Sequence, residues 1–189
     1  MTQAFRSTVW ILLYALTLSI SSFATAGWDP RSEPTGQSEG SSKASSTVAR
    51  MKAKDPGMQI FFDKAYGYAI FPTVGKAGMG IGGAYGEGEV YRQGAFIGTA
   101  TLTQLTVGFQ FGGQAYSEII FFKDKKTLDD FTEGNFELGA QASAIAVTAG
   151  VSADADYSNG VAVFTLPKKG LMYEATISGQ KFSFEAAQK

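Results

Sequence analysis

The sequence predicts an α+β fold: a curved, barrel-like antiparallel sheet with a short N-terminal helix pair and one further short helix. Three observations carry this. Apolar residues recur at helical spacing mainly before Gly67, and from Tyr68 onward the apolar period is two, over many short runs. Glycine is abundant, at 23 of 189 residues, and it crowds alternate positions between Gly67 and Gly88, where small residues let a sheet bend or approach a neighbour closely. Turn signals such as Ser158-Asn159-Gly160 separate the later apolar runs.

The N-terminus reads as a targeting segment. Arg6 is the only charge before Asp29, Val9 to Ile20 is apolar, and Ala24-Thr25-Ala26 supplies a small-x-small cleavage pattern. Residues 1–26 are therefore expected to be a signal peptide cut after Ala26. The competing reading is a membrane anchor, for which the apolar run is short. Residues 27–41, rich in Ser, Gly, Glu and Pro, are expected to be a flexible leader, and residues 42–189 one domain. The expected location is outside the cytoplasm, periplasmic or secreted.

Composition narrows the chemistry. The chain has no histidine and no cysteine, so Ser-His-Asp and Cys-His catalysis, disulfides and the usual zinc sites are impossible. Its formal net charge is −1, and removing Arg6 makes it −2. No global field attracts nucleic acid. These features point away from an enzyme, and no cofactor, metal or catalytic residue is expected.

The elements follow in order. Ser42 to Lys54 carries an apolar stripe, Ala44, Val48 and Met51, with Lys43, Arg50 and Lys54 on an adjacent stripe. Asp55-Pro56 looks like an N-cap followed by proline at the first helical position. Met58, Phe61, Phe62 and Ala65 continue at helical spacing to a stop at Gly67. Tyr68 to Val74 reads as a strand, with Pro72 marking an edge or a bulge. Met79, Ile81 and Tyr85 alternate with Gly80, Gly82 and Ala84. Further strands are expected over Glu89–Tyr91, Ala95–Leu102, Leu105–Phe111 and Glu118–Phe122. A slip in apolar phase predicts a turn or bulge at Thr103-Gln104. Asp124 to Thr132 is a helix ending at Gly134. Glu137 to Val151 reads as a strand of small residues, although its alanines would equally suit a helix. Val161–Leu166, Leu171–Ser178 and Lys181–Phe184 complete a meander, with Gly179-Gln180 as a two-residue connection.

Several motifs have bland readings that outweigh sharper ones. Gly78, Gly80 and Gly83 match G-x-G-x-x-G, but a dinucleotide site needs a helix next, and Ala84-Tyr-Gly-Glu-Gly88 cannot nucleate one. Asp154 to Gly160 faintly resembles a calcium loop, with the glycine one position late and Thr165 where the bidentate Glu belongs. Glu87 and Glu89 share a strand face and read as a solvated edge rather than a carboxylate pair. The strands are shorter and more glycine-broken than those of an outer-membrane barrel. Lys123, Lys125 and Lys126, and Lys168 with Lys169, read as solvated loop clusters. The basic helix carries more weight: Lys43, Arg50, Lys52 and Lys54 could lie on an anionic lipid surface. Alternatively, the helix packs its apolar stripe on the sheet and solvates its lysines.

Taken together, these residues resemble the SYLF domain, a lipid-binding module also known as the actin-binding domain of a yeast actin-patch regulator. The resemblance rests on Asp55-Pro56, Gly67-x-Ala69-Ile-Phe-Pro72, Val74, Lys76, Gly78, the pair Gly82-Gly83 and the Gly86/Gly88 spacing. It continues at Gly108-x-Gln110-x-Gly112-Gly113-Gln114, at Phe131 with Gly139-Ala140, and at Lys169-Gly170-Leu171, covering roughly Ser42 to Phe184. Two segments depart from the pattern: Ala95-Phe96-Ile97 stands where a tryptophan is usual, and Thr148 to Ser152 replaces a Gly-Pro-Val-Gly-like stretch. The resemblance implies an α+β module without catalytic activity that binds lipid through an N-terminal amphipathic helix and basic residues. Here Lys43, Arg50, Lys52 and Lys54 match that helix by type. Some members bind actin, which an exported protein would not meet. The expected partner is thus an anionic phospholipid membrane surface. A structural or protein-interaction module of the cell envelope, with an envelope protein as partner, is the alternative.

Overall fold

The computed structural model describes residues 36–134, 136–139, 143–169 and 177–188. The signal-peptide segment, most of the leader and nearly all of the strand expected at Leu171–Ser178 lie outside them.

Helix α1 spans Gly36–Lys54, starting earlier than the apolar stripe alone indicated. Asp55 stops it, caps a 3-10 turn over Pro56–Met58, and helix α2 follows over Gln59–Lys64. The Asp55 carboxylate accepts from Gly57 N at 3.1 Å and, across the fold, from Ser152 N at 2.8 Å. Burial pushes its pKa up, but hydrogen bonds from Ser152 and Gly57 outweigh this and hold it below the usual range. The helix pair is therefore tied to the 3-10 turn Val151–Ala153.

The runs of alternating residues merge into two long strands, β1 (Gly67–Arg92) and β2 (Ala95–Phe122). Gln93 and Gly94 join them, with φ of 49° and 82°, the positive pair that a tight hairpin turn needs. The ladder runs antiparallel from Arg92↔Ala95 to Gly67↔Phe122. Pro72 and Thr73 form the expected bulge, facing Ser117.

The glycines allow β1 to fold back along itself. A Cβ on Gly88 would lie 2.5 Å from the Ile70 carbonyl oxygen and 2.6 Å from the Phe71 ring. One on Gly86 would lie 3.1 Å from the Thr73 oxygen, and one on Gly67 would lie 2.5 Å from that of Tyr91. The second half of β1 thus covers the first, and β2 turns with it. The bend falls where pairing jumps from Met79↔Phe111 to Gly80↔Gly108, leaving two β2 residues bulged. No irregularity occurs at Thr103-Gln104, where the sequence predicted one. The apolar phase changes there because Leu102 is buried while Leu105 faces outward.

Along its other edge β2 pairs with β5 (Gln180–Ala186) over Gly98–Gln104, and with β4 (Val161–Lys169) over Ala115–Phe122. The short β3 (Ile145–Ala146) pairs parallel to β4. The order is β1-β2-β4-β3, with β5 beside β2. The fold class is α+β as expected, but the sheet is mixed rather than antiparallel throughout. No pairing among the described residues returns from β3 to β1, so the sheet is not closed into a barrel. Curvature is concentrated at one glycine-lined bend and gives two layers instead. Among the described residues of the strand expected over Glu137–Val151, only β3 is a strand. The segment's small side chains offer little cross-strand surface, and Gly150, at φ 79°, ends it in a turn. The turn before β5 closes from Gln180 N to Ile177 O, so its central pair is Ser178-Gly179, one residue earlier than predicted. Asn159 and Gly160, both at positive φ, form the expected tight turn before β4.

Two cores result. Phe71, Val90, Leu102, Tyr116, Ile120 and Phe122 pack with Leu128 and Phe131 of helix α3 (Lys125–Thr132). On the opposite face, Ile70, Ile119, Phe121 and Phe164 pack under Ala44, Met51, Met58 and Phe61 of the N-terminal helices.

The fold-back predicts a contrast between two glycines. Gly88→Ala must displace backbone and is expected to cost on the order of 2–3 kcal/mol. Gly113→Ala, with nothing within 4 Å of its Cβ, is expected to change stability by under about 1 kcal/mol. Urea unfolding of the two variants measures the difference.

Candidate functional site

The basic helix is the candidate site. Ala44, Thr47 and Met51 of α1 are buried against the sheet, so its apolar stripe is occupied within the protein. Helical spacing then places Lys43, Arg50 and Lys54 on one flank and Lys52 on the other. Ser42, Ser46, Ala49 and Ala53, all exposed, lie between the flanks on the outward face. The four predicted residues form two basic edges around a strip of small side chains rather than one patch.

On the first edge, Arg50 Nη2 donates to Thr47 Oγ1 at 3.0 Å and to Ser117 Oγ at 3.4 Å. Ser117 Oγ in turn donates to Pro72 O at 2.8 Å. Lys168 Nζ donates to Thr73 Oγ1 at 2.6 Å. Burial, and then the Arg50 charge, push the Lys168 pKa down. The Pro72–Thr73 bulge therefore gathers Arg50 and Lys168. The sequence showed Lys168 as a basic residue but could not place it beside Arg50, because that contact depends on strand register. Lys168 lies in β4 rather than in a loop. Lys125 and Lys126 are also not in a loop: they lie on α3, paired at i,i+4 with Asp129 and Asp130. Lys43 and Lys54 are exposed.

On the second edge, Lys52 Nζ sits 4.1 Å from the centroid of the Phe62 ring. It borders a cleft of about 660 Å³ between α2 and the start of β1, which also presents Lys64, Lys123, Tyr66 and Tyr68. Lys52 also borders a groove of about 350 Å³ along α1, lined by Ala44, Val48, Tyr68 and Tyr91. The cleft combines these three cations with aromatic walls and the Asp63 carboxylate.

The acidic residues serve the scaffold. Glu87 is exposed and accepts from Tyr85 OH at 2.8 Å. Glu89 accepts from Tyr91 OH and is buried, not solvated as predicted, because the fold-back brings it under cover. Burial, followed by the Glu89 hydrogen bond, raises the Tyr91 pKa far above the usual phenol range. Sequence reasoning missed Glu118. It is fully buried between Phe71 and Thr165 on the neighbouring strands. Gln180 Nε2 donates to its Oε2 at 3.1 Å and to the Tyr116 hydroxyl at 3.3 Å. Burial pushes its pKa up to about 7. Glu118 lines neither cleft and is a core group. Among the described residues, no three acidic side chains cluster as a metal site would require.

Residues 103–188 match the Ysc84 family, described as Las17-binding protein actin regulator. Over this span the chain is similar to the Ysc84, or SYLF, family. The chain is also 28% identical over 148 residues to Beta cell expansion factor A of Aeromonas veronii. That match covers 74% of the chain and 53% of the relative, about half its length. The resemblance drawn from the residues is borne out. The matched family span begins after the Gly67–Gly88 ladder and takes in the later blocks, Gly108 to Gln114 and Lys169 to Leu171.

Glu118 makes stability depend on pH. Its pKa is about 7 in the fold against an ordinary 4.5, so the native state retains a proton that the unfolded chain loses. Stability is full below about pH 4.5, falls as pH rises to about 7, and is flat beyond. Glu118→Gln is expected to abolish this fall and to stabilise the protein at pH 8 by on the order of 2–3 kcal/mol. Urea titrations at pH 5 and pH 8 measure it.

Proposed function

We propose that this chain is an exported, non-catalytic module that associates with anionic phospholipid surfaces through the two basic edges of α1. The observation that carries this reading is the division of Lys43, Arg50 and Lys54 from Lys52 around a face of small residues. Such a helix can settle on a plane with cations reaching headgroups on both sides. Each contributes up to about 1 kcal/mol at an anionic surface. The apolar stripe is already packed on the sheet, so α1 contributes electrostatics rather than buried apolar area, and its contribution is salt-sensitive. Lipid binding is an association of the SYLF family as a whole, which is a family of binding domains. The N-terminal segment supports a periplasmic or secreted location, where phospholipid is present and actin is not.

A second reading, a protein-interaction module of the envelope, draws on the family's description as Las17-binding. Recovery of one protein partner from lipid-free extract, at unchanged yield with the charge variants below, would favour it.

Flotation with phosphatidylglycerol or cardiolipin vesicles tests the main reading. The wild-type chain is expected to float at low salt, and Lys43/Arg50/Lys52/Lys54→Ala to bind at least about tenfold more weakly. Undiminished binding of that variant would remove the site, and no binding by the wild type would remove the function.

A further inference from the structure

The bend of the β1–β2 ribbon is the least ordinary surface of the molecule. β5 covers the outer edge of β2 up to Gln104, and β4 resumes at Ala115. Among the described residues, 105–113 pair with residues 77–83 of β1 and with no other strand. This part of the ribbon contains no charged residue: β1 has none between Lys76 and Glu87, and the chain has none between Arg92 and Glu118. Ile81 is 68% exposed, Leu105 76% and Tyr85 53%. Leu105 is paired with Gly83, midway between Ile81 and Tyr85, so the three side chains share one outward face.

We propose that this bend is a second, apolar membrane contact, with Ile81, Tyr85 and Leu105 entering a phospholipid bilayer to interfacial depth. The inference rests on the membrane reading above and adds an element that α1 does not supply. Three features select lipid over another occupant. The tip carries no charged group, the kind that hydrocarbon rejects most strongly, whereas a protein interface would ordinarily carry a polar rim.

Charge returns at the neck. Arg50 reaches Ser117 and Lys168 reaches Thr73, at the Pro72–Thr73 bulge, and Lys181 of β5 pairs with Thr103. These cations would stand at the phosphates when the tip enters. Of the other charges nearby, Lys76 is largely buried, Glu87 accepts from Tyr85 OH, and Glu137 lies 3.9 Å from Lys181 Nζ. Depth is limited by geometry. The bend stands three to four residues beyond the described parts of its flanking strands, roughly 10–13 Å at the usual rise per residue. Among the described residues, the outer edges of 77–83 and 105–113 have no strand partner, and unpaired edges do not cross hydrocarbon. Arg50 belongs to both contacts and joins the first edge of α1 to the neck of the ribbon.

The test places a reporter at the tip: Leu105→Trp in a chain whose Trp10 and Trp28 are replaced by phenylalanine. Vesicles of phosphatidylglycerol and phosphatidylcholine, with and without brominated acyl chains, are the probe. The expected result is a blue shift on adding vesicles and quenching by the brominated chains. Ile81→Ser/Leu105→Ser is expected to fold as the wild type does and to partition about tenfold more weakly at high salt, where the α1 contribution is screened. If the wild type floats with vesicles but the emission of the Leu105→Trp reporter neither shifts nor is quenched, this inference fails while the α1 reading stands. If the wild type does not float at all, the α1 reading fails and takes this one with it. A blue shift that grows with protein concentration in the absence of lipid overturns the inference in favour of pairing between copies.

Discussion

Everything in this molecule depends on two stretches of one strand lying closer together than any side chain permits. Gly86 and Gly88 rest on the backbone of Ile70 to Val74, and Gly67 rests on Tyr91. Because β2 is hydrogen-bonded to β1 throughout, folding β1 in half folds the whole ribbon. The inner faces then enclose one core, and the outer face of the first half, with Ile70, Ile119 and Phe121, is left for the helices. A side chain at Gly88 would press on the Ile70 carbonyl and the Phe71 ring and push the layers apart. The glycine-rich stretch is thus neither a phosphate cradle nor a flexible loop. It is the close contact that sets the architecture.

The functional surface follows from that arrangement. The outer sheet face demands an apolar cover, and α1 supplies Ala44, Thr47 and Met51. Once that stripe is committed, the remaining positions of the helix can offer only flanks and an outer face. The charges fall on the flanks. Arg50 reaches the Pro72–Thr73 bulge because Ser117 stands opposite it, and Lys52 turns to the Phe62 ring. At the far end, the bend carries no charge, and its outward face is left open to whatever the protein docks on.

Much of this was legible in the sequence. The helix break at Asp55, the bulge at Pro72, the helix starting near Asp124 and the Asn159-Gly160 turn each have a local cause that a few residues express. The α+β class and the family resemblance were also readable. The fold-back was not, because it joins residues almost twenty positions apart within a single strand, and alternation reports faces but not what covers them. For the same reason Glu89 read as solvated and Glu118 as an unremarked strand residue. The phase slip at Leu105 was visible, but it marked an outward-facing leucine rather than a turn. The basic residues of α1 were recognised by type. Their division into two edges appeared only once Met51 was seen to face the sheet.

The most direct measurement uses the absence of native cysteine. Single cysteines at Ala53, Leu105 and Lys126 carry a nitroxide, and its accessibility to oxygen and to a polar nickel chelate is read with and without phosphatidylglycerol vesicles. Lys126, on α3, lies at the end of the ribbon opposite the bend. The account predicts that vesicles lower nickel accessibility at positions 53 and 105, raise oxygen accessibility at 105, and leave 126 unchanged. A label at 126 that becomes membrane-protected while 53 and 105 remain in water would contradict it.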